Sequence, residues 1–411
     1  MIDLGAPPKV WGRGEKSEIA QARAQKSDGQ RGNRRRVISS AVCRKEYRMF
    51  ERTLTGRVLA LAVCLVTVVF VAACGGGGQG GNGGGQGNEG PFTIGVSNGF
   101  ISSEWRTQMI DDLQRVNGEY KQEGLTEDLV IESADVDAQG QIQQMRNLIN
   151  RGVDAIIVNP NDATALDQVI GQAEQAGIPV IAVDQEIDAP GVTNVVIDQG
   201  EWASMGAEWL VEQLGGEGDV VVINGIAGHP ANEARYDAVK EVFAENPGIE
   251  VVQETNADWD QATAQQEMSN ILASQPNIDG VWTQDGMARG VLQAVQAANP
   301  DEYPVISGEA RSGYMRLWQE VRQENPDFAS YGPVNPPGVG ASGLRVAVEL
   351  LQGKEIKQSE LQGEAGNTLY VPIPGVVTNQ NLKEEIQKID VEGEYVLDGM
   401  ISREQAQSYF Q

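Results

Sequence analysis

From residue 92 onward, short apolar runs rich in β-branched residues alternate with stretches whose apolar positions recur every three or four residues. The first set of runs reads FTIGVSN, LVIESADVD, DAIIVNP and PVIAVD, with helical spacing between them over residues 104–122, 139–150 and 164–175. A second set, DVVVING, IEVVQETN, IDGVWTQD, YPVISGEA and FASYGPVN, is interleaved with helical spacing over 232–245, 262–273, 287–298 and 314–323. Continuously apolar strands that alternate with amphipathic helices predict parallel sheets covered on both faces. The pattern occurs twice, so the fold class is α/β, with two doubly wound parallel-sheet lobes.

Polar and aromatic residues recur where these runs end: Ser97, Asn98 and Phe100, then Trp105 and Arg106, and farther on Asp135, Asn159, Asp184, Gln185, Trp259, Asp285, Glu309 and Asn335. Ligands of open α/β sheets bind outside the carboxyl ends of the strands, so two such edges facing each other would make a cleft. Asp135 and Asn159 read as helix-capping residues. Asp and Glu accept from hydroxyls, Arg and Asn donate, and Trp or Phe can cover an apolar ring face. That mixture suits a neutral, hydroxyl-rich small molecule.

The front of the chain is different in kind. Residues 58–73 carry no charge and follow Arg52 and Arg57, which gives a basic head, an apolar stretch and a small-residue cleavage zone. The run falls short of the about 20 apolar residues of a spanning helix. Its ending, VAAC, resembles the bacterial lipoprotein signal, which implies that Cys74 becomes the lipidated first residue of the mature chain. Residues 49–73 are then the signal peptide. Residues 75–90 lack side chains with area to bury and are expected to form a disordered tether reaching roughly 20–25 Å. GGGGQG also matches G-x-G-x-x-G, but no strand precedes it and no helix follows. Residues 1–48 read as an upstream mis-start or a disordered extension, because Met49 would begin a conventional signal.

Charge narrows the function classes. Residues 1–74 hold 14 Lys and Arg against 6 Asp and Glu, net +8, whereas the remainder is net −35. So acidic a body would repel nucleic acid and anionic headgroups. All three cysteines lie at or before position 74, so no disulfide staples the body. His229 is the single histidine and reads as a loop or capping residue; no metal-spaced cluster and no P-loop occurs, and neither metal nor cofactor is expected. A glycosidase could still use Asp285 and Glu309 as its two carboxylates.

IIVNPNDATALDQVIGQAEQAGIPVIAVDQ, VVVINGIAGHPANEARYDAV and ADWDQATAQQEMSNILASQPNIDGVWTQDGMARGVLQAV together resemble the type I periplasmic sugar-binding proteins of ABC importers, similar to the ribose- and galactose-binding proteins. The likeness spans about residues 91–381. It implies two lobes joined by a multi-crossing hinge, one of residues 91–197 and 335–372, the other of 198–334 and 373–411 including a C-terminal extension of no assigned role. The crossings fall near Asp198, Asn335 and Pro372, and Pro333, Pro336, Pro337 and Gly338 suit one of them. It also implies ligand contacts from Asn98, Phe100, Asp184, Arg235, Trp259, Asp285, Glu309 and Asn335. Gln185 stands where the family has arginine, and Trp105 and Arg106 join the lining as in one branch.

The expectation is an extracytoplasmic, lipid-anchored, monomeric solute-binding protein, at the periplasm or cell surface, that captures a sugar and delivers it to an ABC permease. A sensor presenting ligand to a membrane receptor is the alternative, and a carbohydrate-active enzyme is less favoured. A LacI-type regulator shares the core but needs a DNA-binding helix-turn-helix where this chain has a signal and a tether.

Overall fold

The computed structural model describes residues 90–162, 164–275, 277–389 and 395–411. Residues 1–48, the segment read as a signal peptide, Cys74 and the expected tether up to residue 89 lie outside the described residues.

The first sheet contains β1 (Ile94–Asn98), β2 (Val130–Ser133), β3 (Ala155–Asn159), β4 (Val180–Val183), β5 (Val192–Val196) and β11 (Thr368–Tyr370) in the order β11-β5-β4-β3-β1-β2. Every pairing in it is parallel. On one face lie α1 (Glu104–Gln122) and α9 (Val339–Leu351), and on the other α2 (Ala138–Arg151) and α3 (Asp167–Gln175). β1, β3 and β4 are buried along their whole length, as their unbroken apolar runs require. α9 sits close because it presents no side chain at two points: a Cβ on Gly340 would lie 2.6 Å from Met109 Cγ, and one on Gly343 would lie 2.5 Å from Val183 Cγ1.

The second sheet contains β6 (Gly218–Asn224), β7 (Ile249–Asn256), β8 (Gly280–Thr283), β9 (Val305–Ser307), β10 (Ser330–Pro333) and β12 (Val376–Thr378) in the order β12-β10-β9-β8-β6-β7. It is parallel except at its edge, where β12 runs antiparallel to β10. α4 (Gln199–Gln213) and α5 (Pro230–Glu245) cover one face; α6 (Gln261–Ser274), α7 (Met287–Ala298) and α8 (Ser312–Glu324) cover the other, with α10 (Leu382–Lys388) against α8. Asp137, Asp198 and Asp260 each accept a hydrogen bond from a first-turn backbone N–H and so fix where α2, α4 and α6 begin.

The chain passes from the first sheet to the second at Asp198, returns between Pro333 and Val339, and passes again between Tyr370 and Val376. The C-terminal extension divides its contacts: α10 packs on α8, whereas α11 (Arg403–Ser408) packs on α9 of the first lobe. The expectation that residues 373–411 stay with the second lobe therefore fails for the last segment. Its apolar residues Ile401, Ala406 and Phe410 are buried there.

A cleft lined by three guanidinium groups

Between the carboxyl ends of the two sheets lies a cleft of about 440 Å³. Of the sequence-derived candidates, Phe100, Trp105, Arg106, Asp184, Gln185, Arg235, Trp259, Asp285 and Asn335 line it. Asn98 and Glu309 are not among the lining residues. Both are fully buried and hold guanidinium groups that do line it: Asn98 Oδ1 accepts from Arg106 Nη1 at 3.1 Å, and Glu309 is paired with Arg311.

The lining is built from strand ends in strained conformations. Asp184 follows β4 with φ of +70°, Asp258 and Trp259 follow β7 at +53° and +59°, and Asp285 follows β8 at +51°. Among the described residues, five non-glycine positions have positive φ, and these four all line the cleft; the fifth, Asn299, ends α7. Left-handed backbone costs non-glycine residues energy, and such residues cluster at ligand clamps and active sites.

Arg106 and Arg235 are joined with their carboxylates in one network. Arg106 Nη2 lies 3.8 Å from Asp184 Oδ2, which also accepts from Gln185 Nε2 at 3.0 Å and from Asn159 Nδ2 at 3.3 Å. Gln199, the first residue of α4, donates to the Asp184 carbonyl at 3.0 Å and accepts from Arg235 Nε at 2.8 Å, linking the two lobes at the hinge. Arg235 Nη1 continues to Asp285 Oδ1 at 3.0 Å and to Gln284 Oε1 at 3.1 Å. Gln284 in turn accepts from Trp259 Nε1 at 3.0 Å. The Arg235 guanidinium lies over the ring of Trp202. Trp105 Nε1 donates to the Asn335 carbonyl at 2.8 Å, while Asn335 Oδ1 is buried and finds no partner within the protein.

Burial sets the protonation of these groups. Desolvation lowers the Arg106 pKa, and Asp184 and Asp285 oppose it. Burial pushes the Glu309 carboxyl up to about 7, against the pull of Arg311. Burial, helped by Arg106 and Arg235, pushes His229 down to about 3, so its imidazole is neutral at physiological pH. His229 meets Trp259 edge to face and lines the cleft with it, which makes it part of an aromatic wall rather than a base.

His229 also stands at the N-cap of α5, as the sequence reading has it, whereas two readings change. Asn159 does not cap a helix: its amide reaches Asp184 beneath the cleft. Asp135 accepts from the Ile101 N–H and the Ser102 hydroxyl, fixing the loop after β1, while α2 is capped by Asp137. Sequence reading missed Arg311, because Glu309 two residues earlier carries the acidic pattern; it also missed Gln199 and Gln284, whose amides join charged groups and carry no motif. Among the described residues, no cluster of His, Cys, Asp or Glu could hold a metal ion.

A family model described as a periplasmic binding protein domain matches residues 94–355. The chain belongs to the periplasmic binding protein family. It is similar to the xylitol-binding protein of Mycolicibacterium smegmatis, 30% identical over 277 residues that cover 67% of this chain and 75% of the relative. It is similar also to the D-allose-binding periplasmic protein of Escherichia coli, 28% identical over 250 residues, 58% of this chain and 79% of that one. Among solved structures, a solute-binding protein of an ABC transporter from Bacillus halodurans with bound myo-inositol superposes with a TM-score of 0.62 at 27% identity, covering 74% of this chain and all of that one. As a periplasmic binding protein this chain is an extracytoplasmic ligand carrier rather than an enzyme, and it hands its solute to a membrane transporter.

Proposed function

We propose that this periplasmic binding protein captures a sugar or cyclic polyol for an ABC permease, and that Phe100, Trp105, Arg106, Asp184, Gln185, Arg235, Trp259, Asp285, Asn335 and Arg311 contact it. The observation that carries the reading is the cleft's chemistry: paired arginines and aspartates within bonding reach, beside the apolar faces of Phe100, Trp105 and Trp259. Each hydroxyl of a polyol both donates and accepts, which matches guanidinium beside carboxylate; charged groups bond hydroxyls with roughly 1.5–3 kcal/mol each. Asn335 Oδ1 supplies one more acceptor awaiting a donor. Asn98 and Glu309 act from behind, holding Arg106 and Arg311. That relatives carry xylitol, D-allose and myo-inositol supports a saturated, uncharged ligand. Closure of the two lobes about the crossings would present the ligand-bound form to the permease. The protein acts as a monomer held to the membrane by a lipid on Cys74.

The test is a thermal-shift screen of the chain from Gly75 onward against pentoses, hexoses, inositols, acyclic polyols and amino acids. A ligand at 100 times its dissociation constant stabilises by about 2.7 kcal/mol, which raises Tm by several degrees. A selective shift with one polyhydroxylated compound names the cargo; a shift with amino acids alone would overturn the reading.

A further inference from the structure

The C-terminal extension lies directly behind the cleft residues. Val396 forms an antiparallel bridge with Arg311, Ser312 N–H donates to the Tyr395 carbonyl at 2.8 Å, and Leu397 N–H donates to the Ala310 carbonyl at 3.2 Å. These bonds grip the second-lobe segment that projects Arg311 into the cleft. Gln108, two residues beyond Arg106 on α1 of the first lobe, clamps Val396 from the other side: its amide donates to the Val396 carbonyl and accepts from the Val396 N–H, both at 3.1 Å. The run from Tyr395 to Leu397 is thus bonded to both lobes at once: Val396, 3% exposed, to Gln108 of the first, and its two neighbours to Ser312 and Ala310 of the second.

The segment then crosses the hinge. Asp398 Oδ1 accepts from Gly338 N–H at 2.8 Å, and Gly399 lies so close to Pro374 that a Cβ there would stand 2.2 Å from its Cγ. Gly338 and Pro374 lie in the two crossings that flank α9 and β11. Beyond them, Ile401 N–H bonds Ser342 Oγ, Arg403 makes a two-pronged pair with Glu123 and lies over the Tyr120 ring, and Phe410 bridges Ile356. A capping box of Ser402 and Gln405 starts α11, so the anchor is a formed helix seated on the first lobe.

We infer that residues 395–411 are a strap that positions Arg106 and Arg311 relative to each other and limits how far the lobes swing apart. The strap makes a fourth passage between lobes, one bonded on both sides instead of merely threading the hinge. Opening that separates α1 from the 310–312 segment must break either the Gln108 clamp or the Val396 bridge. The strap therefore raises the share of closed-like conformers before ligand arrives, which lowers the reorganisation that ligand has to drive. Gln108 is a positioning residue in this arrangement, since it is not among the residues that line the cleft; the affinity consequence rests on the cleft being the ligand site, whereas the restraint on opening does not.

The experiment places spin labels at Gln139→Cys and Ala262→Cys, exposed positions on α2 and α6 of opposite lobes, in the chain from Gly75 onward, which otherwise lacks cysteine. Interlabel distances are measured without ligand for the parent, for Gln108→Ala, and for a chain ending at Ile389. The strap predicts a broader distribution with a longer mean in both variants, and, with xylitol, D-allose and myo-inositol as probes, about tenfold faster dissociation for whichever the parent binds. Unchanged distances in folded Gln108→Ala would overturn the inference, even if its Tm falls, because a merely structural contact lowers Tm without moving the labels. If the truncated chain does not fold, Gln108→Ala decides alone. Altered distances with no probe bound by the parent would uphold the strap while removing the polyol reading.

Discussion

The Arg235 guanidinium stacks on the Trp202 indole, 4.4 Å from the ring centre, with its Nη1 held 3.0 Å from Asp285 Oδ1. Stacking fixes the plane of the fork, and the carboxylate together with Gln199 and Gln284 fixes its rotation, so the remaining donors point in one direction. Arg235→Ala is expected to weaken ligand binding by about 100-fold, and Arg235→Lys by more than tenfold, since an ammonium reproduces neither the stack nor the fork. Isothermal titration with the screened ligand checks this; a Lys variant that binds like the parent would show that only the charge matters.

Gly225 offers a way to disturb the aromatic wall without removing a polar group. A Cβ on Gly225 would lie 2.1 Å from Trp259 Nε1, and nothing but a shift of the indole relieves it. Gly225→Ala should break the bond from Trp259 to Gln284 and reduce affinity by about tenfold, roughly the worth of one hydrogen bond plus a displaced ring face. Trp259 fluorescence should differ from the parent before ligand is added. An unchanged spectrum together with unchanged affinity would show that Trp259 does not touch the ligand.

Two carboxyls meet behind the hinge. Burial, and then the nearby Asp398, push Asp112 up to about 6, against the hydrogen bond from Arg115; its Oδ2 is buried without a partner. A raised folded pKa means that the folded chain holds a proton which the unfolded chain releases near 3.8. The stability carried by that proton is full below pH 3.8 and is lost as pH rises to about 6. Asp112→Asn should therefore raise Tm by a few degrees at pH 7.5 and leave it nearly unchanged at pH 4, as differential scanning calorimetry would show. An equal gain at both pH values would point to packing instead of charge.

What the sequence revealed follows from what each element depends on. α1 and α7 begin and end where their periodicity does, because an amphipathic face registers directly as spacing. β11 and β12, three residues each, and the hinge-spanning segment from Tyr395 to Ile401 carry no such signal. Their bonds are to residues far along the chain, from the pairing of β12 with β10 to the bond from Gln108 to Val396, 288 positions apart. In the cleft, Asp184, Trp259 and Asp285 were legible as lining residues because the cleft of such a fold opens outside the carboxyl ends of its strands. Asn98 and Glu309 were legible as polar, but which side chain lines the cleft and which holds an arginine from behind depends on burial that no spacing encodes. Arg311 occupies the place assigned to Glu309 because the glutamate side chain folds back onto it.

The pairing of each cleft guanidinium with its own carboxylate has a consequence for the surroundings in which the protein works. Residues beyond position 74 carry a net −35, so the body gathers a dense cloud of counter-ions whose extent shrinks as salt rises. Arg106 with Asp184 and Arg235 with Asp285 cancel locally inside that cloud, and the uncharged solute proposed above would exchange no counter-ion on entering. Brine and fresh water would change how this molecule repels its neighbours, while the grip of the cleft on its cargo stays the same.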